Sequence, residues 1–264
     1  MTAVASRGTF YGWHVVAAAF VLAVFGWGIG FYQAGEVLHR KRPHSSEGAL
    51  TWSTVVEGLR SHVAIAHVRN ATVGDRRAEN THPFRMRQWL FAHVGQLEGF
   101  AAMRKGIAAA LPDFLRRSIR GETDSEHIFH VFLSFLHDAG QLEAAEVQEA
   151  KVLGAMRSTV ALLDRHANEV GAPPGTLTFV LTNGRELYAV RRGCPLLLAE
   201  RNGLPARGST PEGESRGADP VRYVVLATAA QEAADGSVAP GYREVPQARV
   251  VTVHHDLSVS IDAL

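Results

Sequence analysis

The sequence has almost no cysteine and almost no net charge, and each shortage excludes a class of protein. Cys194 is the single cysteine, so the chain cannot form a disulfide with itself. A lone cysteine fits a reducing compartment, and we expect a cytoplasmic protein. Lys and Arg number 27 against 26 for Asp and Glu, a formal net charge of +1. This balance gives no general reason to bind nucleic acid or an acidic partner.

Metal-ligand sets are also missing. His127 and His130 lie on neighbouring positions of a predicted helix, with His137 two turns further on. No carboxylate or cysteine cluster completes a ligand set around them, and their apolar neighbours favour packing or surface roles. We therefore expect no metal.

Phosphate and nucleic-acid signals are equally weak. Gly26, Gly28 and Gly30 give a G-x-G-x-G pattern without the following helix that a phosphate-binding loop requires. The arginines around Arg69 are partly balanced by acidic residues and have no accompanying platform for base stacking. The sequence thus predicts no cofactor and no nucleic-acid partner.

Charged side chains are absent from Thr9 to Ala34. Within this stretch, Val15 to Tyr32 is an apolar run of 18 residues, which is long enough to span a bilayer. Residues 10–32, with aromatic residues at both ends, resemble the first transmembrane helix of major facilitator transporters, although no second span follows. Periodicity cannot separate a buried strand from a buried helix in such a run. We favour buried strands, with a membrane anchor through residues 10–32 as the alternative.

The rest of the chain has helices in the middle and strands at both ends, which predicts an α+β fold. Ala34-Gly35 predicts a hairpin turn, and Thr123 followed by Glu126 is a capping-box pattern that opens a helix ending at Gly140. Other helices are predicted at Leu50 to Leu59, Leu97 to Ile119 with a break at Pro112, and about 143–169. Other strands are predicted at 63–68, 89–93, 194–200, 221–228, 241–245 and 249–253, and as a hairpin from Thr176 to Val190 with a two-residue Asn183-Gly184 turn. The stretch 202–220 is predicted to be a loop.

Polar residues are densest from Ala66 to Phe100, more closely spaced than a core requires. The stretch contains Arg69-Asn70-Ala71-Thr72, Asn80-Thr81-His82-Pro83-Phe84 and His93-Val94-Gly95; GWGIGFY (Gly26 to Tyr32) precedes it and GETDSE (Gly121 to Glu126) follows. In this order the motifs resemble the stand-alone class II glutamine amidotransferases. The resemblance covers residues 26–264 and leaves residues 1–25 as an atypical apolar segment. It implies an N-terminal-nucleophile hydrolase fold, a four-layer αββα sandwich of two antiparallel sheets between helix layers.

The resemblance also implies a ligand site for glutamine. Arg69, in the motif that ends at Thr72, would hold the α-carboxylate, and a planar guanidinium suits that task. Asp124 would hold the α-amine, and the backbone N–H of Gly95 would face the oxyanion. The remaining substrate-side residues are Asn80, His82 and His93, of which Asn80 is expected to hold its loop by side-chain to backbone bonds. From the residues alone, Arg69 could equally form a surface salt bridge and Asp124 could be a helix N-terminal acid.

Two departures from the family pattern concern catalysis. The family uses a cysteine directly after the initiator Met, whereas this sequence starts Met1-Thr2-Ala3; Thr2 could act as a nucleophile after removal of Met1, but it lies in a polar leader ahead of the apolar run. The family's His-Asn-Gly is here His93-Val94-Gly95, and loss of one oxyanion donor typically costs about 10²–10³ in rate.

The sequence therefore predicts a glutamine amidotransferase-like protein that acts on the γ-amide of glutamine or of a γ-glutamyl compound, with impaired catalysis. An ammonia-accepting synthase in trans is the expected protein partner. The alternative is a non-catalytic γ-glutamyl-ligand binder or partner subunit, with or without a membrane tether.

Overall fold

The computed structural model describes residues 16–18, 26–43, 59–69, 74–202, 222–228 and 241–264. Thr2, Thr72, the side chain of Arg69, the predicted helix from Leu50 up to residue 58, and the predicted loop from residue 203 lie outside the described residues.

Thirteen strands and four α-helices make up the described chain. The strands are β1 (Val16–Ala18), β2 (Gly26–Gln33), β3 (Glu36–Arg42), β4 (Val63–Arg69), β5 (Phe84–Met86), β6 (Trp89–Gln96), β7 (Thr176–Thr182), β8 (Leu187–Arg191), β9 (Leu197–Asn202), β10 (Arg222–Ala227), β11 (Arg243–Glu244), β12 (Arg249–Val253) and β13 (Val259–Ala263). The helices are α1 (Phe100–Ala109), α2 (Asp113–Ser118), α3 (Asp124–Asp138) and α4 (Glu149–Glu169), with a 3-10 turn at Ala78–Asn80.

A six-stranded antiparallel sheet in the order β13-β12-β8-β7-β6-β5 forms the centre of the fold. One face packs against the helices, where Phe91 of β6 stacks on Phe129 of α3 with ring centroids 5.1 Å apart. The other face packs against β3, β4, β9 and β10 through a second cluster that includes Ile65, Leu90 and Leu198. The described residues thus give three of the four predicted layers, and the remaining predicted helix lies outside them.

The second β layer consists of a four-stranded sheet, β1-β4-β2-β3, and a three-stranded sheet, β10-β9-β11. Its pairs are antiparallel except that β1 runs parallel to β4. The predicted hairpin turn is confirmed: Gln33 pairs with Glu36, and Ala34 and Gly35 have φ of 51° and 80°. Positive φ at both central residues is the type I′ geometry that matches strand twist.

Part of the apolar N-terminal run is a buried strand, as favoured from the sequence. In β2, Ile29 and Phe31 are buried on one face, while Gly28 and Gly30 lie on the other. A Cβ at Gly28 would lie 2.0 Å from the His82 carbonyl oxygen, and one at Gly30 would lie 2.8 Å from Pro83. The G-x-G pattern therefore serves close packing against the His82-Pro83 turn. No helix within the described ranges is long and apolar enough to cross a membrane.

Three details differ from prediction. Thr182 pairs with Leu187, so the hairpin loop has four residues instead of two, and Asn183 Oδ1 accepts the backbone N–H groups of Arg185 and Glu186. Helix α4 starts at Glu149 because the Gln141 side chain binds the Gln148 N–H at 2.7 Å and holds the preceding chain in a loop. The edge strands β5 and β13 were not predicted.

Candidate functional site

His93 lies at the centre of a buried hydrogen-bond network where β6 meets α3. Its Nε2 is 3.0 Å from the Thr176 carbonyl oxygen, and its Nδ1 is 2.9 Å from Ser125 Oγ. A carbonyl only accepts, so Nε2 carries the hydrogen, and in the neutral ring Nδ1 accepts from the Ser125 hydroxyl. Burial lowers the pKa of His93, and the charge of Asp124 and the Thr176 carbonyl oppose this only in part. His93 is therefore neutral at pH 7 with a fixed tautomer.

Gly95 makes this arrangement sterically feasible. Its φ is 143°, and a Cβ at this position would lie 2.0 Å from the Thr176 carbonyl oxygen and 3.0 Å from His93 Nε2. A side chain here would therefore displace the carbonyl that orients His93.

The backbone N–H of Gly95 is directed away from β7. The Leu177 N–H donates to the Arg192 carbonyl on the β8 side of β7. Backbone groups alternate in direction along a strand, so the N–H and carbonyl of the neighbouring Thr178 point to β6, where Thr178 pairs with Val94. The Val94 carbonyl then faces β7, and the next N–H along a trans peptide, that of Gly95, points the opposite way. Strand β5 pairs no further along β6 than Phe91, so this N–H lies on an edge that β5 leaves unpaired.

Asp124 is the first residue of α3 and is almost fully buried. Its Oδ2 accepts the Leu97 N–H at 2.9 Å and its Oδ1 accepts the Ser125 N–H at 2.8 Å. These bonds fix the carboxylate beside the turn that follows Gly95. The helix N-terminus stabilises the negative charge. A carboxylate has about four acceptor positions; the two N–H groups take two of them, and the Ser125 hydroxyl, 3.3 Å from Oδ1, is within reach of a third.

The capping box predicted for α3 is only half formed. Thr123 Oγ1 accepts the Glu126 N–H at 3.2 Å, as expected. The buried Glu126 carboxylate does not return to Thr123; it accepts the N–H groups of Arg120 at 2.9 Å and Gly121 at 2.6 Å. The preceding turn folds over the helix end, so its N–H groups take the place of the cap residue.

Asn80 ties the loop that precedes β5, described from residue 74 onward and called the motif loop below, to the turn before α3. This confirms the predicted side-chain to backbone bonds. Its Nδ2 donates to the Asp75 carbonyl at 3.0 Å, and its Oδ1 accepts the Glu122 N–H at 2.9 Å. The side chain is fully buried. Both ends of the amide are thus occupied by backbone.

His82 precedes Pro83 through a cis peptide bond and lies in an aromatic stack. Its ring centroid is 4.1 Å from that of His67, which lies two residues before Arg69 on β4, and 4.7 Å from that of Phe84. Lys41 lies 5.3 Å from the Phe84 ring, and burial lowers its pKa to about 8. The His82-Pro83 turn therefore packs against His67 of β4 and leads directly into β5.

The structure brings together His93, Gly95 and Asp124, and places Asn80 and His82 on the loop that leads to them. Arg69 is the last residue of β4 and pairs with Gly26; its side chain and Thr72 lie outside the described residues. Sequence reasoning missed Ser125, which contacts both His93 and Asp124. Its position in the Asp-Ser-Glu motif was the available signal.

A family model for glutamine amidotransferases of class II matches residues 8–202, which hold every motif discussed above. The chain belongs to the class II glutamine amidotransferases. The matched range begins at residue 8, directly before the stretch without charged side chains that starts at Thr9.

The curated relatives of this class II amidotransferase align with it over only part of their own length. "Probable glutamine amidotransferase DUG3" of Saccharomyces cerevisiae is 27% identical over 147 residues, 53% of this chain and 41% of the yeast protein. Gamma-glutamyl-hercynylcysteine sulfoxide hydrolase of Mycobacterium tuberculosis is 36% identical over 85 residues, 32% of this chain and 36% of that protein. The chain thus spans about two fifths of the length of these relatives.

Solved structures share the architecture. A glutamine aminotransferase class-II domain protein from Silicibacter pomeroyi superposes with a TM-score of 0.61 at 22% identity, covering 90% of this chain and 91% of that one. Glutamine phosphoribosylpyrophosphate amidotransferase from B. subtilis gives a TM-score of 0.53 at 18% identity, covering 90% of this chain and 42% of that one. At these identities the likeness concerns the fold alone, and it confirms the predicted N-terminal-nucleophile hydrolase-like fold.

Proposed function

We propose that this class II amidotransferase domain binds the α-amino-acid end of glutamine or of a γ-glutamyl compound and hydrolyses the γ-amide slowly. The observation that carries the proposal is the fixed, buried group of His93, Ser125 and Asp124 beside Gly95, with Val94 at the oxyanion position. In this proposal ligand recognition is retained and transition-state stabilisation is weakened.

The proposed recognition of the ligand rests on two charged residues, Asp124 and Arg69. Asp124 is held by two backbone N–H groups and retains acceptor positions that suit an ammonium group. Arg69 ends β4, close in sequence to the His67–His82 stack, and its guanidinium would bind the α-carboxylate in two-point fashion. Asn80, His82 and Thr72 would shape the pocket wall from the motif loop.

The reactive half rests on Gly95 and Val94. An N–H on an edge that β5 leaves unpaired suits an oxyanion donor, and Gly95 would supply it. A valine side chain has no donor, so the second oxyanion bond of the family is missing. Cys194, the single cysteine, lies between β8 and β9, and burial raises the pKa of its thiol, which disfavours the reactive thiolate. Thr2 is the remaining candidate nucleophile.

The substrate class includes γ-glutamyl amides of small thiol compounds as well as glutamine. Support comes from the mycobacterial relative, whose name includes a γ-glutamyl compound, γ-glutamyl-hercynylcysteine sulfoxide. A synthase that accepts ammonia in trans would be the partner if glutamine is the substrate. A non-catalytic binding subunit, with or without a membrane tether, is the alternative if no ammonia is released.

Calorimetry with L-glutamine and γ-glutamylcysteine tests recognition. Arg69→Ala is expected to weaken binding at least about tenfold, because a charge-assisted pair to carboxylate is lost. Arg76→Ala is the matched control, since Arg76 is exposed and its removal changes the net charge equally. Equal affinities of the wild type and Arg69→Ala would contradict the binding site.

Ammonia release tests the reactive half. The wild type is expected to turn over glutamine far below the roughly 1–10³ s⁻¹ usual for enzymes. Val94→Asn should raise the residual rate by up to about 10²–10³, because it restores an oxyanion donor, and Val94→Ala should not. Ordinary turnover by the wild type would disprove the impairment, and no gain from asparagine would exclude Val94 as its cause.

A further inference from the structure

The Ser125 hydroxyl lies between two acceptors but has only one hydrogen to donate. His93 Nδ1 is 2.9 Å from Ser125 Oγ, and Asp124 Oδ1 is 3.3 Å from the same atom. Neutral His93 has Nδ1 as an acceptor, because Nε2–H donates to Thr176. With His93 neutral, the shorter distance indicates that the Ser125 hydroxyl donates its hydrogen bond to His93 Nδ1 and not to Asp124 Oδ1.

Asp124 has one acceptor position that depends on this choice. Oδ2 accepts from Leu97, and Oδ1 accepts from the Ser125 N–H. Each carboxylate oxygen accepts about two hydrogen bonds, so the second position on Oδ1 is open only while the Ser125 hydroxyl points to His93.

We propose that His93 and Ser125 are positioning residues for Asp124 that make ammonium binding depend on the protonation of His93. With His93 neutral, Asp124 Oδ1 is open to the α-ammonium group of the ligand. With His93 protonated, Nδ1–H donates to Ser125 Oγ, and the hydroxyl hydrogen turns to Oδ1 and occupies the open position. This inference rests on the proposed role of Asp124 and adds its control by pH.

The surroundings of His93 give the direction of the effect. Asp124 of α3 is the charged group that acts on the ring; β7 contributes the Thr176 carbonyl, and on β6 the Phe91 ring stacks with centroids 6.5 Å apart. Burial lowers the pKa of His93 below its ordinary value of about 6.5. Ligand affinity should therefore be full at neutral pH and should fall as the pH drops through that lowered pKa. By reciprocity, a bound ammonium group should lower the pKa of His93 further.

Titration of the full chain by NMR, followed at the His93 ring carbon Cε1 from pH 8 down to the lowest pH at which the protein stays folded, tests the hydrogen-bond switch directly. His93→Asn assigns the signal. In the free protein, Ser125→Ala should move the midpoint to lower pH, because the protonated ring loses the stronger, charge-assisted bond. Ser125→Thr keeps the hydroxyl and should restore the wild-type midpoint. An unchanged midpoint in Ser125→Ala would overturn the switch, whether or not any ligand binds.

Calorimetry with L-glutamine at pH 7.5 and at one pH unit below the His93 midpoint found by the NMR titration tests the consequence for binding. The wild type should lose at least about fivefold in affinity between these two pH values, a typical coupling between two sites. His93→Asn can still accept from Ser125 but does not titrate, so its affinity, whatever its value at pH 7.5, should change by less than about twofold between the two pH values. If His93→Asn shows the wild-type pH dependence, the inference is wrong while the proposed binding stands. If the wild type binds neither glutamine nor γ-glutamylcysteine at pH 7.5, the proposed function is wrong, and the free-protein titration decides the switch alone.

Discussion

Gly95 shows how one residue without a side chain allows the site to form. Its positive φ forbids a larger residue, and so does the 2.0 Å that would separate a Cβ at this position from the Thr176 carbonyl oxygen. Gly95→Ala should destabilise the protein by roughly 1–3 kcal/mol from backbone strain alone, with a further cost as Thr176 moves. Urea unfolding measures the change in free energy.

A matched control comes from a glycine without these constraints. Gly154 lies within α4 and has open space where a Cβ would be. Gly154→Ala should stabilise by about 0.5–1 kcal/mol, because alanine favours the helix. Equal stabilities of Gly95→Ala and the wild type would contradict the steric account of the site.

The N-terminal end of α3 is the element on which the site depends, and we expect Glu126 to stabilise it more than the cap residue does, because the Glu126 carboxylate accepts two buried N–H groups. Glu126→Gln keeps one acceptor but presents an NH₂ group to the N–H of Arg120 or Gly121, and should cost roughly 1–3 kcal/mol. Thr123→Ala loses one cap bond, at about 1 kcal/mol. Glu122→Gln is the control, since its ion pair with Arg77 is exposed and contributes about 0–1 kcal/mol. Unfolding midpoints in urea decide the order, and a Glu126→Gln cost no larger than that of Glu122→Gln would refute the assignment.

Elements with strong local signals were predictable from the sequence. The break at Pro112 separates α1 from α2, and the turn at Ala34-Gly35 forms as its residues require. Glu126 was predicted to bind Thr123, because the capping pattern carries no information about a turn folding back over the helix. The glycines of β2 gave a weak pattern, since their partner, the His82-Pro83 turn, lies some fifty residues further along the chain. Contacts of this range leave no periodicity in the sequence.

At the scale of the whole molecule, the six-stranded sheet has an apolar core on each face, and the helix-side core also encloses histidines. His93, His127 and His130 are buried, and each binds a backbone carbonyl through one ring nitrogen. Burial is the main cause that lowers the pKa of each ring, and the backbone hydrogen bond of each ring opposes it. The negative charge of Asp124 also opposes the lowering at His93. At His127 the negative charge of Glu126 opposes the lowering, whereas Arg104 and His130 add to it. These rings are therefore neutral in the folded protein at pH values where the unfolded chain already binds protons.

Mild acid should therefore destabilise the fold. The unfolded histidines have a pKa of about 6.5, so their contribution is complete above that pH and is lost as the pH falls toward the lower folded pKa. Each ring contributes a slope of at most about 1.4 kcal/mol per pH unit. Urea unfolding at pH 7.5, 6.5 and 5.5 should show most of the loss between the last two values. His127→Gln should reduce that loss, whereas His137→Gln, at an exposed position on the same helix, should leave it unchanged. A free energy of unfolding that stays level from pH 6.5 to 5.5 would mean that these rings bind protons equally well in the folded and unfolded chain.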